Sequence, residues 1–205
     1  EVKFIRAYCY YRLVELFGPV TILRDNKQTD MTRSTVNAVY RYMLEDLKDA
    51  IAFLPRIRPN EYTDRIGAAS QFTAEMLAAK VYMQQGDWEK VESLTDDIIG
   101  SGKFSLYADF NNLFKIPGKL CDESLFELQF TDFGNASGEV IVSDSWFLFQ
   151  GPLNDGNISG WGFISPTKDF RQWAAQRGET VRATTTFLLA GSTTAEGDYI
   201  REPAS

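Results

Sequence analysis

Apolar side chains recur at three- and four-residue steps through the first half of this chain, and the period fades after Leu106. The clearest stretch runs Val36, Val39, Tyr40, Met43, Leu44, Leu47, Ala50, Ile51 and Leu54, which is one stripe of an amphipathic helix. Ser34 or Thr35 is placed to cap it and Pro55 to end it. Residues 2–17 are apolar on nearly every side, interrupted only by Lys3, Arg6, Arg12 and Glu15. A helix of that kind is expected to lie inside a protein with helices on its flanks. Gly18 and Pro19 stop it. Residues 55–66 are polar and hold two prolines, so they form a loop.

A helical hairpin is expected next. Thr73 is read as the cap of its first helix, with Phe72 and Leu77 as a hydrophobic staple. Ala74, Leu77, Ala78, Val81 and Tyr82 make the buried side. Gly86-Asp87 turns the chain, and Trp88, Val91, Leu94 and Ile98 stripe a second helix that ends at Gly100 and Gly102. The pair resembles a tetratricopeptide unit, although Val91 stands where that pattern usually has Ala. One such unit cannot bury its own faces, so helices 2–17 and 35–54 are its natural neighbours.

Residues 125–130 alternate, with Phe126, Leu128 and Phe130 on one side, and predict a short strand. Residues 131–165 are rich in Gly, Asn, Ser and aromatics and predict long loops. A last helix is signalled by Ser165 as cap, Pro166 at its first position and Gly178 at its end, with Phe170, Trp173 and Ala174 as its apolar side. The fold class expected is therefore mainly α: tetratricopeptide-like helical hairpins forming an α-α superhelix, with a loop-rich, short-strand excursion. Residues 1–106 form the helical scaffold and 107–205 the loop-rich region.

Composition narrows the partners. The chain carries 21 basic and 28 acidic residues, a net charge of −7, which is the wrong sign for nucleic acid or an anionic membrane surface. No apolar run approaches the ~18 residues needed to cross a bilayer as a helix. Histidine is absent, which removes Ser-His-Asp and Cys-His catalysis and the commonest metal ligand. No phosphate-binding glycine loop is present. Cys9 and Cys121 are read as unpaired thiols, and Asp122-Glu123 as a solvated turn or cap. No cofactor and no metal site are expected.

Six phrases in order resemble the SusD/RagB family: FIRAYCYYRLVELFGPV at 4–20, TVNAVYRYMLEDLKDAIAFLP at 35–55, GDWEKV at 86–91, SGKFSL at 101–106, DESLFELQF at 122–130 and GWGFISPT at 160–167. The resemblance implies a surface lipoprotein of the outer membrane in glycan-foraging Gram-negative bacteria. Such proteins capture oligosaccharide or polysaccharide for import and sit on a SusC-like TonB-dependent transporter. It further implies that this chain is the middle of a longer protein, whose membrane contact runs through an N-terminal lipid anchor outside these residues. The function expected is glycan binding without catalysis.

The residues themselves bear on the ligand. From Leu120 to Thr167 there is no Lys or Arg, while acids, Asn and aromatic rings are interleaved. Flat rings cover the C–H face of a neutral sugar, and amide and carboxylate groups meet its hydroxyls. Trp146 and the loop residues Asn154, Asp155 and Asn157 are the candidate ligand contacts. Trp161 is read as a packing residue, and Phe126, Phe130, Phe147 and Phe149 as core. A protein–protein adaptor, using a groove along the helices, is the alternative. A glycoside hydrolase, which needs two facing carboxylates, comes third.

Overall fold

The computed structural model describes residues 1–129, 149–153, 160–194 and 197–201. The chain divides into two units: Glu1–Tyr107 with Gly118–Leu128, and Ala108–Pro117 with Gln129–Ser205. The first unit holds four long helices: α1 (Val2–Phe17), α2 (Val36–Phe53), α3 (Gln71–Gln85) and α4 (Trp88–Gly100). Each packs on the next, α1 on α2, α2 on α3 and α3 on α4. The second unit holds α5 (Phe110–Leu113), α6 (Lys168–Gln176) and α7 (Val181–Thr186) among its described residues. The fold is mainly helical, as the periodicity predicts.

The core of the first unit is the apolar stripe of α2 closed from both sides. Val39, Met43 and Leu47 of α2 are fully buried, together with Phe4 of α1 and Phe72, Leu77 and Val81 of α3. Burying each such side chain contributes about 1.5–3 kcal/mol relative to leaving it in water. Ala74 and Ala78 of α3 are also fully covered, which lets the neighbouring helix backbones approach. One ion pair is built into this packing. Arg6 of α1 grips Asp46 of α2 through two hydrogen bonds of 2.7 Å, with Asp46 almost fully buried. Tyr10 joins the α1–α2 connection to the core, its hydroxyl accepting from the Leu23 N–H at 2.7 Å.

Five local expectations need correction. The α3 cap is Ser70, not Thr73: the Ser70 side chain accepts from the Thr73 N–H, and the Thr73 hydroxyl accepts from the Ser70 N–H at 3.1 Å. Moving the start back by one turn removes the Phe72–Leu77 staple, and Phe72 becomes a core residue instead. The helix expected to be last, α6, starts at Lys168 with Thr167 as its cap, so Ser165 and Pro166 precede it, and α7 follows. Residues 125–129 run without a strand partner among the described residues. They are tied by the Leu125 carbonyl, which accepts from the Thr73 hydroxyl at 2.9 Å. Finally, α1 is covered on one face only: Val2, Ile5, Leu16 and Phe17 are exposed among the described residues, although the sequence is apolar all round. Trp88, expected in the α4 stripe, is exposed as well, while Ile98 is buried.

Phe126 is core, as its alternation suggests, with its ring edge-on to Phe4 at 5.2 Å and to Tyr8 at 5.6 Å. The acids before it are structural. Asp122 pairs with Arg58 at 2.6 Å, and Glu123 accepts from the Tyr107 N–H at 2.9 Å. Cys9 and Cys121 are both free thiols.

Candidate functional site

Among its described residues, the second unit leaves its aromatic rings largely outside a core. Its side chains are mostly exposed, with Ala174 and Ile200 the buried hydrophobic residues among those described. Two groups of rings stand out. The first is built on a backbone crossing. Gly160 lies so close to Gly151 that a Cβ there would meet the Gly151 Cα at 2.5 Å. Gly162 follows in the left-handed region at φ +65°, a conformation side chains disfavour. Two short hydrogen bonds hold the crossing, from the Gly160 N–H to the Pro152 carbonyl at 2.8 Å and from the Gly162 N–H to the Gly151 carbonyl at 2.9 Å.

That crossing sets the ring geometry. Trp161, between the two glycines, meets Phe149 edge-on at 4.8 Å, and Phe163 lies 5.9 Å from both. Trp161 is thus a packing residue and an accessible one together: it remains 44% exposed, and Phe163 71%. The flanking glycines do the positioning, and the rings remain available to a flat ligand face.

The second group is on α6. Phe170 and Trp173 are near-parallel, with centroids 5.8 Å apart, and each is about half-exposed. The Arg177 guanidinium lies 4.5 Å over the Trp173 ring, and Phe187 meets Phe170 edge-on at 5.4 Å. Only Ala174 of the expected apolar side is interred. The 3- and 4-residue spacing of Phe170, Trp173 and Arg177 on a short, otherwise polar helix was the available signal for an exposed strip rather than a core face. Beyond the helix, Arg182 bonds Glu179 and holds its carboxyl below the ordinary value.

Trp146, Asn154, Asp155 and Asn157, the contacts expected from the sequence, lie outside the described residues, as do Phe130 and Phe147. Among the described residues no cluster of acids and cysteines could hold a metal ion. No helix there is long and apolar enough to cross a membrane.

The first unit carries an open groove. It has a volume of about 580 Å³ and runs between α2 and α4 over α3. Leu44, Ile51, Ala78, Tyr82 and Leu94 line it, with Arg41 and Lys48 at its rim.

Residues 1–83 match the SusD-like_3 family model, described as starch-binding and associating with outer membrane. A SusD-like protein of Bacteroides ovatus is 25% identical over 94% of this chain and 36% of its own length. Among solved structures, surface glycan-binding protein A from Bacteroides fluxus is 27% identical with a TM-score of 0.70, covering 83% of this chain and 38% of that one. The Bacteroides thetaiotaomicron protein of the same name, solved with laminarihexaose, has a TM-score of 0.71 at 23% identity, over 84% of this chain and 38% of that one. This chain spans between a quarter and about a third of the length of the curated relatives it matches. The helical order α1 to α4, the phrases that carry it and these likenesses agree: residues 1–83 match the SusD-like family model, and the chain is similar to SusD-like proteins over most of its length.

Proposed function

We propose that this chain is part of a surface glycan-binding lipoprotein of the outer membrane, which captures oligosaccharide for import through a SusC-like TonB-dependent transporter. The observation that carries the glycan reading is the 27% identity and 0.70 TM-score to a surface glycan-binding protein. The exposed rings of the second unit supply the chemistry. Trp161 and Phe163 offer apolar faces to a sugar, and Phe170 with Trp173 offer a further aromatic strip. Trp146, Asn154, Asp155 and Asn157 are proposed to add a ring and hydroxyl partners close by in sequence. Binding rather than catalysis is the role assigned, and the transporter partnership rests on the family resemblance.

A protein–protein adaptor is the second reading, and the apolar groove between α2 and α4 is what favours it. Affinity electrophoresis through gels containing laminarin, xyloglucan or starch separates the two. The glycan reading expects retardation in at least one gel, weakened about tenfold in affinity by Trp161→Ala or Trp173→Ala. Unretarded migration in every gel would reject it.

A further inference from the structure

The most deeply buried carboxyl among the described residues has an unusual set of neighbours. Glu75 projects from the middle of α3 and is 2% exposed. Its Oε1 accepts from Gln71 Nε2 at 2.7 Å and from Arg56 Nη1 at 3.3 Å. Its Oε2 is buried and accepts no hydrogen bond among the described residues. The same Arg56 nitrogen bonds the Asp97 carboxylate of α4 at 2.8 Å, and the other terminal nitrogen reaches the Asp97 carbonyl at 3.4 Å. Arg56 also lies 4.6 Å over the Phe72 ring, which fixes it against α3. The Glu75 and Asp97 carboxyl groups thus meet at a single Arg56 nitrogen.

The charges that face Glu75 are therefore Arg56 from the α2–α3 connection and Asp97 from α4, with neutral Gln71 on its own helix. One guanidinium serves two acids. Two carboxylates in contact repel, and a buried one loses its hydration, so the arrangement is satisfied best when one acid keeps a proton. The buried, unbonded Oε2 is the oxygen suited to carry that proton, because a protonated carboxyl gains a donor. Asp97 is half-exposed and directly bonded to Arg56, so it is the member suited to stay ionised.

We propose that Glu75 and Asp97 share a proton carried on Glu75, and that this proton clasps α4 and the α2–α3 connection onto α3. Burial first, and Asp97 beside it, push the Glu75 carboxyl above its ordinary value of 4.5, while the Arg56 hydrogen bond holds Asp97 below its own of 3.8. A carboxyl raised in the folded state binds more protons folded than unfolded. Its contribution to stability is thus full below pH 4.5 and is lost as pH rises through the folded value. Asp97 has the opposite sign, contributing above its unfolded value and fading as the solution is acidified.

The test uses the full chain. Carbon-13 NMR of the side-chain carboxyls in the wild type should show Glu75 titrating above the ordinary glutamate range. Asp97→Asn, which removes the facing charge and supplies a donor, should bring that titration down. Glu75→Gln mimics the protonated acid, so the melting temperature of the variant minus that of the wild type should grow with pH by about 3–5 °C for each pH unit by which the Glu75 titration is raised. A Glu75 titration at the ordinary value overturns the proposal, and so does one that Asp97→Asn leaves unmoved. If Glu75→Gln does not fold, the two NMR titrations still decide. None of these readings depends on glycan binding.

Discussion

The two units of this chain treat their aromatic residues in opposite ways. In the first, Phe4, Phe72, Tyr10 and Tyr11 are buried and meet helices on several sides. In the second, Trp161 and Phe163 meet at a tilt and Phe170 and Trp173 in parallel, yet all four remain between two-fifths and three-quarters exposed. Ring count alone cannot distinguish these uses. What distinguishes them is whether a periodic apolar stripe from another element closes over the ring. In the first unit α2 closes over α1 and α3, and the rings hold the fold together. In the second, short elements hold rings against each other and leave their outer faces exposed.

The comparison can be broken most sharply by truncating one ring from each unit. Phe72→Ala, which empties a fully enclosed site, should cost about 3–5 kcal/mol in urea unfolding of the full chain. Phe163→Ala should cost under about 1 kcal/mol, because most of its ring already faces water. Equal costs would show that the second unit has a hidden core.

A smaller effect is expected at the ion pair between α1 and α2. Asp46→Ala removes two charge-assisted hydrogen bonds from Arg6 and should destabilise by about 1–3 kcal/mol in the same assay. Asp46→Asn should recover part of that loss, since an amide oxygen can still accept from the guanidinium.

The smallest change in stability, with a clear change in binding, is expected at the backbone crossing. An alanine Cβ at Gly160 would meet Gly151 backbone atoms at 2.5–2.7 Å, so the crossing must open. Gly160→Ala should leave the melting of the helical unit in place and weaken glycan retardation as far as Trp161→Ala does. Unchanged retardation would mean that the Trp161 ring is not held for a ligand.

The helical frame was legible because its signals are local and redundant. The α2 stripe, its Thr35 cap and its end before Pro55 agree with the structure, since periodicity, capping and proline all state the same boundaries. Where two signals competed, the tertiary fold decided. Ser70 and Thr73 are both good caps three residues apart, and the deeper start won because it places Phe72 in the core. Residues 125–129 alternate like a strand, yet a strand needs a partner that their own sequence cannot supply. The apolar circumference of α1 promised neighbours on every side, while the described residues cover one.

The candidate site was less legible. The sequence singled out a ring-rich, base-poor stretch and the GWG phrase, but it read Trp161 only as packing and Phe170 with Trp173 as a buried side.

By itself, the sequence determined the order of helices and the stripe that joins them, because each follows from spacing along a few turns. Only the tertiary structure decided which rings are enclosed and which are offered, and that one arginine serves two carboxyls. Exposure and charge pairing depend on residues far apart in the chain: Arg56, Glu75 and Asp97 meet only after α3 and α4 have folded against the connection that precedes them.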